Sequence, residues 1–120
     1  MRIIENVLSD RGSKYAVSGG PAASREAAAA FLAELTRAKK FARATHNSWA
    51  LLLDEDGRRE GVKNDDGEAG AGAVILRMLE REGLVNHIVV VTRWYGGVKL
   101  GGDRFRRVTE AVRIYLAECG

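Results

Sequence analysis

Asp65-Asp66-Gly67-Glu68 places three carboxylates within four residues, directly before the small-residue run Ala69 to Ala73. That density suits a hard cation, which takes oxygen ligands. It suits a helix start equally well, because carboxylates there accept free backbone N–H groups and favour the positive end of the helix dipole. Upstream, Thr45-His46-Asn47 leads into the apolar run Trp49 to Leu53. His46 there is either a general base near the acidic segment or a hydrogen-bonded structural histidine. His46, Asp65, Asp66 and Glu68 together would make the polar half of an enzyme site for a small molecule or a phosphate. No Cys or His pair has metal-ligand spacing and no nucleophile signature such as G-x-S-x-G occurs, so neither a metal nor a cofactor is expected.

A second chemical segment runs from Thr92 to Asp103 through Arg93, Trp94, Tyr95, Gly96, Gly97, Lys99 and Gly101. A glycine-rich junction between a strand and a helix can present backbone N–H groups to phosphate. The order G-x-x-x-x-G-K-[ST] is missing, as is G-x-G-x-x-G, which argues against a nucleotide-hydrolysing loop. Arg93, Lys99, Arg104, Arg106 and Arg107 form an expected basic surface beside Trp94 and Tyr95, where aromatics would stack on bases and cations would hold phosphates. The competing reading pairs Arg106 with Glu110, Glu110 with Arg113 and Asp103 with Arg107 at helical spacing, leaving a solvated face.

These segments need elements to hold them. Tyr15-Ala16-Val17, closed by Gly19-Gly20-Pro21, reads as a strand and turn. Ser24 caps a helix whose apolar face is Ala28, Phe31, Leu32 and Leu35. Trp49 to Leu53 is a strand turning at Asp54-Glu55-Asp56-Gly57 and returning near Gly61-Val62. Ala71, Ile75, Met78 and Leu79 mark a second helix ending at Gly83. Ile88 to Thr92, β-branched throughout, belongs in mid-sheet. Asp103 caps a last helix with Phe105, Val108, Val112, Tyr115, Leu116 and Cys119 on one stripe. Trp49 and Phe105 are expected in the core, while His87 has no evident partner.

The order β, α, β, β, α, β, α predicts an α+β two-layer sandwich, a mixed sheet covered by helices on one face. With 120 residues, 46% of them hydrophobic and 29% charged, residues 1–120 are read as one domain. The single cysteine, Cys119, excludes an internal disulfide and points to a reducing compartment. Glu5 interrupts the first apolar run and Ile88 to Val91 is far too short for a span, so a cytoplasmic protein with no membrane association is expected. The formal charge of +3 is compatible with an anionic partner without requiring one.

Three segments in order, Lys40-Phe41-Ala42-Arg43-Ala44-Thr45-His46-Asn47-Ser48-Trp49-Ala50, then Asp65-Asp66-Gly67-Glu68, then Val89 to Gly101, resemble the signatures of the IMPACT/YigZ family from about Ser13 to the end of the chain. Gly102-Asp103-Arg104-Phe105 looks more like the eukaryotic form, and the chain reads as a stand-alone module. The resemblance implies a fold like the second domain of ribosomal protein S5 and domain IV of elongation factor G. It also implies a role in translation: eukaryotic IMPACT restrains a stress-responsive kinase of initiation factor 2 by competing for the kinase's activator, and bacterial relatives have no settled role. Many bacterial relatives follow the Asp-Asp-Gly-Glu motif with Pro and Thr, where this chain has Ala69-Gly70-Ala71-Gly72. The expected function is therefore a non-catalytic regulatory protein that contacts RNA, the ribosome or a translation-associated protein.

Overall fold

Alternating and continuous apolar runs resolve into five strands and four helices in the computed structural model, which describes residues 1–119. Their order is β1 (Arg2–Asp10), β2 (Ser13–Pro21), α1 (Arg25–Leu35), α2 (Lys39–Ala42), β3 (His46–Glu55), β4 (Arg58–Asn64), α3 (Ala71–Glu82), β5 (His87–Trp94) and α4 (Asp103–Cys119). The strands form one sheet in the order β1-β2-β5-β3-β4. β5 is central, as its β-branched run requires.

The α+β class holds, with two differences of detail. Every strand pair is antiparallel, so the sheet is not mixed; the connection from β3 to β5 reverses through the β4 hairpin and α3, leaving no parallel neighbours. Helices also cover both faces. Tyr15, Val17, Ala50, Leu52, Val89 and Val91 pack against Ile75 and Leu79 of α3 and Val108, Val112 and Tyr115 of α4. Ala16, Leu51, Ile88 and Val90 pack on the other side against Ala28, Phe31 and Leu35 of α1 and Phe41 of α2. Consecutive strand residues point to opposite faces, and apolar side chains on both need two covers.

Local chemistry explains the boundaries. Ser24 caps α1, its hydroxyl accepting from Ala27 N–H at 3.0 Å, and Gly83 ends α3 with φ +63°. Asp56 and Gly57, both at positive φ, make the two-residue turn between Glu55 and its partner Arg58. β1 is a strand that sequence pattern does not reveal. It lies at the edge, its register slips between Ile4 and Leu8, and Asn6 sits at φ 52°, so the inward and outward alternation is broken mid-strand. His87 finds a partner in Tyr115, 2.6 Å from its Nε2; burial holds the imidazole below its ordinary value, helped by the N-terminal ammonium, and burial pushes the Tyr115 phenol up to about 12. No helix among the described residues is long and apolar enough to cross a membrane.

Trp49 and Phe105 are not core residues. Trp49 packs half-buried at the edge of the α1 side. Phe105 is likewise half-buried, its ring beneath the Arg104 guanidinium, because the first turn of α4 overhangs the sheet. Phe31→Ala should lower unfolding free energy by about 3–5 kcal/mol in urea titration, as truncation of a buried aromatic does, and Phe105→Ala by clearly less. Equal losses would mean that Phe105 is a core residue after all.

Candidate functional site

β5 carries Arg93 to the end of the central strand, where its register partners are Tyr15 of β2 and His46 of β3. All three share a face. Expected at the surface, Arg93 is instead only 5% exposed. Its Nη1 donates to Glu68 at 2.8 Å, and its Nε and Nη2 each donate to Ser13 Oγ at 3.2 Å. Glu68 is equally buried, at 5% exposure. Two ions removed from water survive only when each is paired and hydrogen-bonded, and this is why Arg93 is not available to a phosphate. Aromatic rings flank the guanidinium, Tyr15 at 5.9 Å and Tyr95 at 5.7 Å. Burial pushes the Tyr15 phenol up to about 12.

The three carboxylates of the acidic segment do three separate jobs. Asp65 caps α3: its Oδ2 accepts from Gly70 N–H at 3.0 Å and its Oδ1 from Gly72 N–H at 2.8 Å. Those two bonds hold its carboxyl below the usual carboxylate range. Asp66, at φ 49°, turns away and accepts from Asn47 N–H at 2.7 Å, so helix capping belongs to Asp65 and not to Asp66. Glu68 meets Arg93, and Arg104 Nε lies 3.6 Å from the same oxygen. No group of three His, Cys, Asp or Glu among the described residues is placed to hold a metal ion.

The His46-Asn47 segment joins elements. His46 Nδ1 lies 2.9 Å from the Asp66 carbonyl. Asn47 donates its amide to the Phe41 carbonyl at 3.0 Å and accepts from the Thr92 hydroxyl at 2.7 Å. One side chain thereby ties α2, β3 and β5, while its backbone N–H holds Asp66. Gly67, at φ +87°, passes so close to His46 that a Cβ would lie 3.1 Å from Nδ1.

Around these groups lies an open groove of about 470 Å³. Thr45, His46, Gly67, Glu68 and Ala69 form one wall; Arg93, Tyr95, Lys99, Leu100, Gly101 and Arg104 form the rest. His46, Gly67, Glu68, Arg93, Tyr95, Lys99, Gly101 and Arg104, half of the expected site residues, therefore converge. Trp94, the last residue of β5 and directly before Tyr95, points to the opposite face, where it meets Phe41 edge-on at 5.4 Å and donates to the Lys40 carbonyl at 3.0 Å. The expected pair of stacking aromatics on one surface is absent. Arg106 bonds Asp103, and Arg107 bonds Glu110 with Asp10 3.1 Å away. Both lie outside the groove, and the pairings differ from those expected because Asp10, on the unforeseen β1, competes for Arg107. Asp103 spends its carboxylate on Arg106 and Arg11.

The glycine loop also behaves differently from a phosphate cradle. N–H groups of Asp103, Arg104 and Phe105 donate back to the carbonyls of Leu100, Gly101 and Gly102 at 3.1–3.3 Å. Gly96 packs backbone to backbone on the β1–β2 turn, where a Cβ would fall 1.9 Å from Gly12 C. Gly97 and Gly101 take positive φ and leave Tyr95, in the groove lining, and Val98, on the adjoining loop, 47% and 45% exposed. Val98 and Ser13 are the contributors that residue type alone did not flag: Val98 looks like loop filler, and Ser13 acts only through Arg93.

Comparison with known sequences turns on one match: the profile described as the Impact N-terminal domain aligns with residues 11–116. The chain belongs to that family. Protein IMPACT of Mus musculus is 36% identical over 113 residues, covering 92% of this chain and 36% of the mouse protein. A solved structure of the two-domain translational regulator Yih1 is 34% identical, with a TM-score of 0.60 over 92% of this chain and 44% of its own. The crystal structure of a hypothetical protein superposes with a TM-score of 0.81 at 25% identity, over 97% of this chain and 57% of its own. This chain thus spans about a third of the mouse protein's length and under half of the Yih1 chain. In this Impact N-terminal domain, each of the three signature segments contributes residues to the lining of one groove.

Asp65→Asn should cost about 0.5–1.5 kcal/mol at pH 7, the usual worth of one hydrogen bond, because the amide oxygen can replace only one of the two acceptors that serve Gly70 and Gly72. Asp65 has a folded-state pKa below its unfolded value, so its contribution is full above the unfolded pKa and is lost as pH falls through the folded one. The gap between wild type and Asp65→Asn, followed by urea unfolding, should narrow as pH falls below the ordinary carboxylate range and close once the folded-state carboxyl is protonated. A gap that persists there would show that the charge on Asp65 is not what holds the cap.

Proposed function

We propose that this domain is a non-catalytic binding module of a translation regulator, and that its groove receives a segment of a translation-associated protein. The observation that carries the reading is the exposed aromatic Tyr95 in the groove lining, with the exposed aliphatic Val98 on the adjoining loop, beside a floor in which Arg93, Arg104 and Glu68 are engaged with one another. Aromatic and aliphatic anchors beside a satisfied polar floor suit protein docking, in which a few central residues dominate the energy. Support also comes from the relatives, since Yih1 is described as a translational regulator. A cytoplasmic setting belongs to the same proposal.

An enzyme built on His46, Asp65, Asp66 and Glu68 is the weaker alternative. A general base needs a free lone pair facing a substrate; His46 donates Nδ1–H to the Asp66 carbonyl and keeps its Nε2 lone pair, but the three carboxylates that would work with it are spent on backbone N–H groups and on Arg93. Stacking of RNA on Trp94 and Tyr95 is weaker too, because the two rings face opposite ways.

Tyr95→Ala should weaken partner binding by about 2 kcal/mol, roughly thirtyfold, with stability within about 0.5 kcal/mol of wild type. Lys99→Glu should act similarly. The test is a photo-crosslinking amino acid at position 95, exposed to proteins washed from ribosomes with high salt and treated with ribonuclease. A protein adduct suppressed by Lys99→Glu supports the reading. An adduct destroyed by ribonuclease, or none, contradicts it.

A further inference from the structure

The positive charge of this chain is distributed unlike its sequence suggests. Arg93, Arg104, Arg106 and Arg107 all face carboxylates: Glu68, Glu68 again, Asp103 and Glu110 respectively. Arg77, Arg81, Lys99 and Arg113 also lack a carboxylate partner among the described residues, but the densest run of such cations lies at the corner between α1 and α2, on the other face of the sheet. Arg37, Lys39, Lys40 and Arg43 fall within seven residues there and all are exposed. Only Lys40 has a carboxylate partner among the described residues, Glu5 of β1.

The corner is rigid. Phe41 is buried beneath it, Trp94 Nε1 donates to the Lys40 carbonyl, and the Lys40 ammonium sits over the Trp94 ring at 5.3 Å. Arg43 caps α2 in helical geometry, its N–H donating to the Lys39 carbonyl at 2.9 Å. Lys39 and Arg43 are thus i and i+4 neighbours, a like-charge spacing that is destabilising in the absence of a counter-anion. Lys14 extends the patch: it lies directly opposite Trp94 across β2 and β5, and residues so paired project from the same face.

We propose that Arg37, Lys39, Arg43 and Lys14 form a binding surface for the phosphate backbone of single-stranded RNA, separate from the groove. Several exposed cations on a convex, anchored corner, with no apolar anchor among them, match sequence-independent backbone contact better than docking of a protein segment, which requires a desolvated centre. Lipid attachment would need an apolar face beside the cations, and Phe41 is turned inward.

The experiment uses the whole chain and a fluorescein-labelled oligouridine, with binding followed by anisotropy across a salt series. Affinity should fall steeply with salt, and Arg37→Gln with Lys39→Gln and Arg43→Gln should weaken binding about tenfold or more at low salt and flatten the logarithmic slope by roughly two, at about 0.7 per contact. The equal charge change on the far side, Arg77→Gln with Arg81→Gln and Arg113→Gln, should leave affinity near wild type, as should Tyr95→Ala, which probes the groove alone. In wild-type protein, amide shifts on titration with oligouridine should cluster at residues 37–43 and Lys14, so the proposal can be judged even if the triple variant unfolds. Equal losses from the two triple variants, shifts centred on the groove, no binding at low salt, or binding to phosphatidylserine vesicles without binding to oligouridine would each overturn it.

Discussion

The buried pair of Arg93 and Glu68 is the constraint on which the site depends. Neither ion can stay dry alone: an unpaired buried charge costs several kcal/mol, typically about 3–5 when one partner is removed. Satisfying Arg93 requires Ser13 at the start of β2 as well as Glu68 in the segment before α3, while Arg104 of α4 approaches the same carboxylate. One guanidinium therefore registers three stretches of chain far apart in sequence. The backbone contact of Gly96 on Gly12 follows from the same closure, since the chain leaving Arg93 must pass over the β1–β2 turn.

That closure explains why a motif rich in charge makes a poor electrostatic surface. Three carboxylates in four residues suggest a cation site when read alone, but each is consumed within the fold by backbone N–H groups or by an arginine. Arg104 likewise donates to the carbonyls of Gly101 and Ala69. What remains for a partner is the apolar and aromatic rim, with Lys99 beside it. The opposite corner, carrying Arg37, Lys39 and Arg43 around a buried Phe41, keeps its charge because few acidic residues pack there. One face thus offers shape and apolar contact, and the other offers charge.

Most of the fold was legible because its signals are local. The Ser24 cap, the Asp56-Gly57 turn, the 3.6-residue stripes of α1 and α3 and the β-branched centre of β5 each depend on neighbours a few residues away. β1 was not legible: a bulged edge strand breaks the alternation that would identify it. Its absence from the sequence reading propagated, since Asp10 and Glu5 partner cations that otherwise look available. The membership of the site was largely readable from residue types, whereas the direction of each side chain was not. Whether Arg93 reaches solvent or Glu68 depends on tertiary pairing across β2, β3 and β5, and Trp94 and Tyr95 part company only once β5 is known to end at Trp94 with Tyr95 directly after it.

The coupling between Arg93 and Glu68 is measured most directly by a double-mutant cycle. Urea unfolding of Glu68→Gln, of Arg93→Met and of the double variant would supply it. Each single change should destabilise by about 3–5 kcal/mol because it strands a buried partner, and the double variant should regain a large part of that loss. Strictly additive losses would contradict the claim that this pair holds the three segments together.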